Sequence, residues 1–203
     1  MESTLLAAAR RAVGFMPDEE GIALHAAALD ARRGTWAELG TYCGKSTVYL
    51  GAAARERGAL LFTVDHHRGS EENQPGQGYH DPRLVDTAGR VDTLPEFRRT
   101  LAEAALEDVV VAVIGRAEVV ARHWREPLEL LFVDGGHSQA QADADLDGWS
   151  PHLAEGGLLI IHDVFPDPAE GGRPPFEIYR RALASGGFTE ASATGSLRVL
   201  RRR

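Results

Sequence analysis

The chain of 203 residues carries a formal net charge of −8, with 43% hydrophobic and 26% charged residues. This length and composition are typical of one α/β domain with a substantial core, and the acidic balance argues against binding to DNA or RNA. No apolar run approaches the roughly 20 residues that cross a bilayer, so we expect no membrane partner. The single cysteine, Cys43, and an N-terminus unlike a signal peptide predict a cytoplasmic protein.

Helices and strands are predicted to alternate along the chain. Apolar spacing predicts helices at 3–13, 18–32, 45–57, 94–106, 117–124, 138–153 and 176–185. Near-continuous apolar runs predict strands at 35–39, 59–64, 108–114, 128–133 and 156–161, and a possible antiparallel hairpin of 186–192 with 196–201. Apolar strands separated by helices imply a mostly parallel sheet covered on both faces. We therefore predict one doubly wound α/β domain over 1–203.

Polar residues and glycines follow each of the five strands, where ligands bind in doubly wound sheets. In strand order these segments are 38–46, 65–67, 115–118, 134–137 and 162–163. A simpler interpretation of Asp134 is that it caps the helix that follows it and has no other role. Likewise Asp143, Asp145 and Asp147 are predicted to form a solvated helix face. The convergence of acids and histidines after the fourth and fifth strands still favours a functional site.

The glycine loop "GTYCGKS" (40–46) helps to distinguish between ligand classes. It is similar to a phosphate-binding P-loop, which keeps an NTP-dependent phosphotransferase as an alternative. However, the P-loop needs four residues between its first glycine and the Gly-Lys pair, and this chain has three. The loop is not GxGxxG either. Lys45 is therefore predicted to lie in the first turn of a helix.

The spacing E-x-G-x-x-x-G-x-S over 38–46 resembles the first motif of class I S-adenosylmethionine-dependent methyltransferases. This resemblance implies a Rossmann-like seven-stranded sheet that ends in an antiparallel hairpin. It also implies that Asp65 binds the ribose hydroxyls, which suits a carboxylate because its two oxygens both accept hydrogen bonds. The cofactor site implied in this way comprises Glu38, Gly40, Tyr42, Gly44, Ser46, Asp65, His66, Arg116, Ala117 and Asp134.

The segments "LFVDGGH" (131–137) and "LIIHDV" (159–164) resemble the metal-dependent O-methyltransferases, which include catechol-type and sugar enzymes. The resemblance implies that Asp134, His162 and Asp163 hold a divalent ion, with Mg²⁺ expected first. In that family the pair after the fifth strand is usually acid–acid or acid–amide. His162 is thus a departure, and it is either a ligand or an outer partner of the ion. An imidazole would also accept Mn²⁺ or Zn²⁺.

The same resemblance favours a sugar acceptor over a catechol. His137 matches the place where sugar enzymes of this group keep a catalytic histidine, whereas catechol-type members often have a lysine. A bound cation would lower the pKa of a sugar hydroxyl, and His137 would act as the general base. The chain as a whole is similar to sugar O-methyltransferases that act on methylmannose oligosaccharides. A catechol-type enzyme remains the alternative.

Two segments outside the sheet pattern, residues 66–92 and 1–33, are predicted to lie beside the site or at an interface. Residues 66–92 form a long polar connection, which is predicted to be a substrate or lid loop; the alternative is a mobile surface loop. Helices within 1–33 lie outside the sheet pattern, so they could form a lid or the interface of a homodimer. The residues of the long loop that are predicted to contact a sugar or oligosaccharide acceptor are His67, Arg68, Glu71 and Tyr79.

Overall fold

The computed structural model describes residues 1–136 and 138–203. The helices in this part of the chain are α1 (Ser3–Arg11), α2 (Asp18–Leu29), α3 (Lys45–Arg57), α4 (Leu94–Ala104), α5 (Ala117–Ala121), α6 (Gln139–Trp149) and α7 (Arg173–Ala184). The strands are β1 (Thr35–Leu39), β2 (Leu60–Asp65), β3 (Val110–Ile114), β4 (Leu128–Val133), β5 (Leu153–Ile161), β6 (Phe188–Thr194) and β7 (Leu197–Arg202).

All seven strands form one sheet in the order β3-β2-β1-β4-β5-β7-β6. Strands β1 to β5 are parallel, while β7 pairs antiparallel with β5 and with β6. This arrangement confirms the predicted Rossmann-like methyltransferase fold with a C-terminal antiparallel hairpin. The chain winds outward from β1 to β3 and then crosses to β4, so the strand order reverses between β1 and β4. Ligand sites of such sheets lie at this switch point.

The sheet is covered on both faces, which explains its continuous apolar strands. In β4, Leu130 and Phe132 belong to the core shared with α1 to α4. The intervening Leu131 and Val133 belong to the core shared with α5 to α7. Successive side chains of a strand point to opposite faces, so a strand that is buried on both sides must be apolar at every position.

The N-terminal helices pack into the core of the domain. Leu5 of α1 and Leu24 of α2 are buried in the cluster that also contains residues of α3 and α4. A Cβ atom at Gly21 would lie 2.3 Å from the ring of Tyr49, so glycine permits the close approach of α2 to α3. The predicted homodimer interface of these helices stays a prediction.

Among the described residues, no helix is long and apolar enough to cross a membrane.

Several predicted boundaries shift because of proline. Helix α6 ends at Trp149 rather than at 153, since Ser150–His152 forms a 3₁₀ turn that contains Pro151. Helix α7 begins at Arg173 rather than at 176, with prolines in its first turn. Proline suits the first turn of a helix because its missing N–H would have no partner there.

The long connection after β2 has internal structure. It contains 3₁₀ turns at Glu71–Asn73 and Pro82–Leu84 and an isolated β-bridge between Val85 and Val91. The side chain of Arg68 lies 3.2 Å from Asp86, which pins the start of the loop to its end.

Candidate active site

Backbone hydrogen bonds continue past the strand ends and fix the first residues of the site. The N–H of Asp134 donates to the carbonyl of Leu39 at 2.9 Å, and the N–H of His162 donates to the carbonyl of Val133 at 3.1 Å. The ladder thus extends one residue beyond β4 and β5. Asp134 and His162 therefore leave the sheet at the same edge, as predicted.

The glycine loop lies directly against the residue that follows β4. Gly40 has φ +84, and a Cβ atom there would lie 2.1 Å from the carbonyl oxygen of Asp134. Both facts require glycine. Gly44 also has a left-handed backbone conformation. Helix α3 begins at Lys45, which confirms the predicted first-turn position of this lysine. The loop therefore lies in direct contact with the backbone of Asp134.

Glu38 and Ser46 lie beneath this loop and bind each other. Glu38 is fully buried and accepts hydrogen bonds from the hydroxyls of Ser46 and Thr47, both at 2.6 Å. Burial raises the pKa of Glu38 to about 8, although the two hydrogen bonds oppose this shift. The pair ties the end of β1 to the first turn of α3.

The carboxylate of Asp65 joins two loops. Its Oδ2 accepts from the N–H groups of Thr41 and Tyr42, each at 2.9 Å, and its Oδ1 accepts from the N–H of His67 at 2.7 Å. Tyr42 and His67 both have positive φ, which is uncommon for residues other than glycine. A carboxylate has about four acceptor positions, so Asp65 has about one left after these three hydrogen bonds.

Thr41 offers a further polar group that the sequence analysis did not identify. Its side chain is buried, and its hydroxyl has no hydrogen-bond partner in the described part of the chain. Buried polar groups are usually paired, so an orphaned hydroxyl in this loop fits the polar groups of a bound cofactor.

The remaining predicted cofactor residues lie near the ends of β2 and β3. His66 is exposed, and its Nδ1 accepts from the backbone of Arg68 at 3.0 Å. Arg116 is the N-cap residue of α5, with an exposed guanidinium 3.8 Å from Glu118. Ala117 begins that helix.

The three predicted metal-binding residues lie together. Nδ1 of His162 is 2.9 Å from Oδ1 of Asp134 and 3.5 Å from Oδ1 of Asp163. One ligand atom from each residue lies within 4.8 Å of the others. Ligand atoms of a divalent ion with bonds of about 2.1 Å are roughly 3 Å apart when adjacent, so the two distances from Nδ1 of His162 suit neighbouring ligands of such an ion.

The environment of His162 contains an acid that sequence reasoning missed. Nε2 of His162 lies 2.6 Å from Oε2 of Glu20, a buried residue of α2. Burial alone would lower the pKa of His162, but the charges and hydrogen bonds of Asp134 and Glu20 raise it to about 11. A proton and a divalent ion therefore compete for Nδ1.

One prediction about the acids of α6 is wrong. Asp145 is 1% exposed rather than solvated, and burial raises its pKa to about 7. Its Oδ1 accepts from Nε2 of Gln141 at 2.8 Å, and its Oδ2 lies so close to Gly135 that a Cβ there would be 2.7 Å away. Ala142 and Trp149, which are also buried, lie one turn away on either side. This helical spacing is the signal that could have revealed the buried position.

The four residues predicted to contact the sugar acceptor have different surroundings. His67 is buried, with Nδ1 2.8 Å from the hydroxyl of Thr93, so its ring does not face solvent. Glu71 is exposed, while Arg68 is paired within its own loop. Tyr79 is exposed and packs edge-on against Phe15, a residue that sequence reasoning missed, with the ring centroids 5.1 Å apart. The predicted catalytic residue, His137, lies outside the described residues.

Comparison with known families identifies the class of protein. The profile of the family described as "Methyltransferase domain" matches residues 37–164, from β1 to the residues after β5. This match spans more than half of the chain. The chain therefore belongs to the Methyltransferase domain family, which confirms the prediction of a methyltransferase.

Solved structures similar to this chain agree with the fold. The O-methyltransferase from Bacillus cereus in complex with SAH is 19% identical, with a TM-score of 0.63 over 100% of this chain and 92% of that chain. TomG from Streptomyces achromogenes, an O-methyltransferase in complex with SAM, is 17% identical, with a TM-score of 0.64 over 100% and 90%. CalS11, a TDP-rhamnose 3′-O-methyltransferase, is 16% identical, with a TM-score of 0.62 over 90% and 77%. At these identities the likeness establishes the fold.

Proposed function

We propose that the protein is an S-adenosylmethionine-dependent O-methyltransferase that methylates a hydroxyl of a sugar or oligosaccharide with the help of a divalent ion. The observation that carries this proposal is the position of Asp134. Its backbone carbonyl contacts Gly40 of the glycine loop, and its carboxylate belongs to the cluster with His162 and Asp163. A methyl donor over the loop and an acceptor at the cluster would be neighbours.

The glycine loop would hold the methionine part of the cofactor. Gly40 lets the loop lie against the backbone of Asp134, and the hydroxyl of Thr41, which has no partner in the described part of the chain, supplies a hydrogen-bonding group. Asp65 would bind a ribose hydroxyl with its remaining acceptor position. Arg116 and Ala117, at the end of β3, would lie near the adenine. The SAM and SAH bound by similar structures support this choice of cofactor.

Asp134, His162 and Asp163 would hold the divalent ion, with Mg²⁺ favoured by the two carboxylates. Such an ion would supply Lewis-acid chemistry, which would lower the pKa of an acceptor hydroxyl. His137, three residues after Asp134, would take the hydroxyl proton, because a histidine titrates near neutral pH.

The acceptor would enter beside the long loop. Tyr79 and Phe15 are 54% and 61% exposed, and together they offer two flat rings to a sugar. The exposed carboxylate of Glu71 could accept hydrogen bonds from sugar hydroxyls. Support for a sugar also comes from the fold shared with a TDP-rhamnose methyltransferase. Mannosides, including methylated oligosaccharides, are the first acceptors to test.

The central experiment measures transfer of a labelled methyl group from S-adenosylmethionine to mannosides, glucosides and catechols. We expect methylated sugar, loss of activity with EDTA and recovery with Mg²⁺. Methylation of catechols alone would replace the sugar proposal with the catechol-type alternative. Calorimetry with S-adenosylmethionine measures cofactor binding directly, and absence of binding would refute the choice of methyl donor.

Substitutions test the proposed roles of Asp134 and His137. Asp134→Asn should be inactive at any Mg²⁺ concentration, whereas Asp30→Asn, at an exposed position, should behave as wild type. His137→Ala should reduce turnover roughly 10²–10⁴-fold, the usual effect of losing a general base. His123→Ala is the matched control at an exposed histidine. EDTA-insensitive turnover would refute the role of the metal, and a fully active His137→Ala enzyme would refute that of the base.

A further inference from the structure

Glu20 reaches the site from outside the sheet. It lies on α2, 142 residues before His162 in the sequence, and is 6% exposed. Its Oε1 accepts from the backbone N–H of Ser196 at 2.6 Å, and its Oε2 accepts from the Ser196 hydroxyl at 3.0 Å. The preceding residue, Gly195, has φ +53, and a Cβ there would lie 2.0 Å from Oε1 of Glu20. The turn between β6 and β7 therefore holds this carboxylate in one position.

The two ring nitrogens of His162 face different groups. Nε2 faces Glu20, while Nδ1 faces Asp134 and Asp163. An ionised carboxylate only accepts hydrogen bonds, so without an ion both ring nitrogens donate, Nδ1 to Asp134 at 2.9 Å and Nε2 to Glu20 at 2.6 Å. An ion between the aspartates would take the place of the Nδ1 proton, while the contact with Glu20 would keep the proton on Nε2. In that state, an ion between the two aspartates could be coordinated by His162 only through the lone pair of Nδ1. Histidine ligands in metal sites commonly donate their other ring N–H to a carboxylate in this way.

We propose that Glu20 is a positioning residue, which holds His162 in the tautomer and orientation that present Nδ1 to a divalent ion between Asp134 and Asp163. This inference rests on the metal in the proposed function. Glu20 contacts His162 and Ser196, so it would act on the ion through His162. Helix α2 thereby contributes to the site, although it lies outside the sheet.

The test compares Glu20→Gln with Glu19→Gln, a neighbouring exposed glutamate on the same helix turn. A glutamine has one acceptor oxygen, so it cannot serve both Ser196 and His162 as Glu20 does. Calorimetric titration of each full-length protein with Mn²⁺ should show affinity roughly 10- to 100-fold weaker for Glu20→Gln, the usual effect of removing an outer carboxylate. Glu19→Gln should match the wild type. Equal Mn²⁺ affinity in folded Glu20→Gln would overturn the inference.

A second measurement needs no variant. Long-range ¹H–¹⁵N spectra of the wild-type protein with Mg²⁺ distinguish protonated from unprotonated ring nitrogens. We expect the proton of His162 on Nε2 and none on Nδ1; the reverse pattern would overturn the inference even if Glu20→Gln fails to fold. A wild-type protein that binds neither Mn²⁺ nor Mg²⁺ would refute the metal itself, whereas wild-type binding with an unaffected Glu20→Gln would refute only the role of Glu20.

Discussion

The buried carboxyl group of Asp145 should make the stability of this protein depend on pH. Its pKa is raised from 3.8 to about 7, chiefly because burial penalises the charged form. In the unfolded chain the group ionises near its ordinary value. Between about pH 4 and pH 7 the folded state therefore binds more protons than the unfolded state, so stability falls as pH rises through this window. Above pH 7 the loss is complete.

The size of the effect follows from the two pKa values. They differ by about three pKa units, and each unit corresponds to about 1.4 kcal/mol. Ionisation of Asp145 should thus cost up to about 4 kcal/mol of unfolding free energy at pH 8. Asp145→Asn removes the ionisation while keeping an oxygen that can accept from Gln141. The stability of the variant relative to wild type should rise by up to this amount between pH 4 and pH 7 and then remain constant.

Urea unfolding followed by circular dichroism at pH 4.5, 5.5, 6.5 and 8 measures this difference. Altered hydrogen bonding in Asp145→Asn would add the same offset at every pH, so only the pH-dependent part reports the ionisation. Ala140→Ser, an exposed change on the same helix that removes no ionisable group, is the control and should differ from wild type by the same amount at every pH. A pH-independent difference for Asp145→Asn would refute the reasoning.

Three further predictions concern the ligand sites. Gly40→Ala should abolish S-adenosylmethionine binding in calorimetry, because its Cβ would overlap the carbonyl of Asp134; Gly76→Ala, with a similar φ of +87 and open space, should lose only about 1–2 kcal/mol of stability and bind normally. Normal binding by Gly40→Ala would contradict this account of the loop. Asp65→Ala should weaken cofactor binding by roughly 1–3 kcal/mol, since a charged acceptor is lost, and unchanged affinity would remove it from the site. Phe15→Ala should raise KM for the sugar and leave kcat nearly unchanged in steady-state kinetics, and an unaltered KM would exclude its ring from acceptor binding.

The sheet and the identity of its ligand-binding edge could be predicted from the sequence because both depend on local patterns. A strand buried on both faces is a continuous apolar run, and parallel strands bring their carboxyl ends to the same edge. This logic placed Asp134, His162 and Asp163 together without knowledge of any contact. It also placed Gly40 and Gly44 in a loop before a helix. Boundaries were less accurate where a turn such as Ser150–His152 interrupts the pattern.

Contacts between distant elements could not be predicted in this way. Glu20 lies in the acidic first turn of α2, and nothing in the spacing of that turn relates it to His162. Their contact depends on how α2 packs against α3 and β7, which in turn needs the small residue Gly21. His67 was likewise assigned to an acceptor loop by its polarity, whereas the structure encloses its ring between Thr93 and Phe97.

The presence of a histidine at position 162 is explained by the charges that surround it. Glu20, Asp134 and Asp163 all direct carboxylates toward this position. A fourth carboxylate there would lie against the buried Glu20 with no proton or cation between them, and like charges at such a distance repel strongly in a poorly solvated environment. An imidazole instead places a hydrogen-bond donor toward Glu20 and a nitrogen toward the aspartates. The buried acid of α2 and the histidine after β5 are thus two parts of one arrangement, in which each accounts for the other.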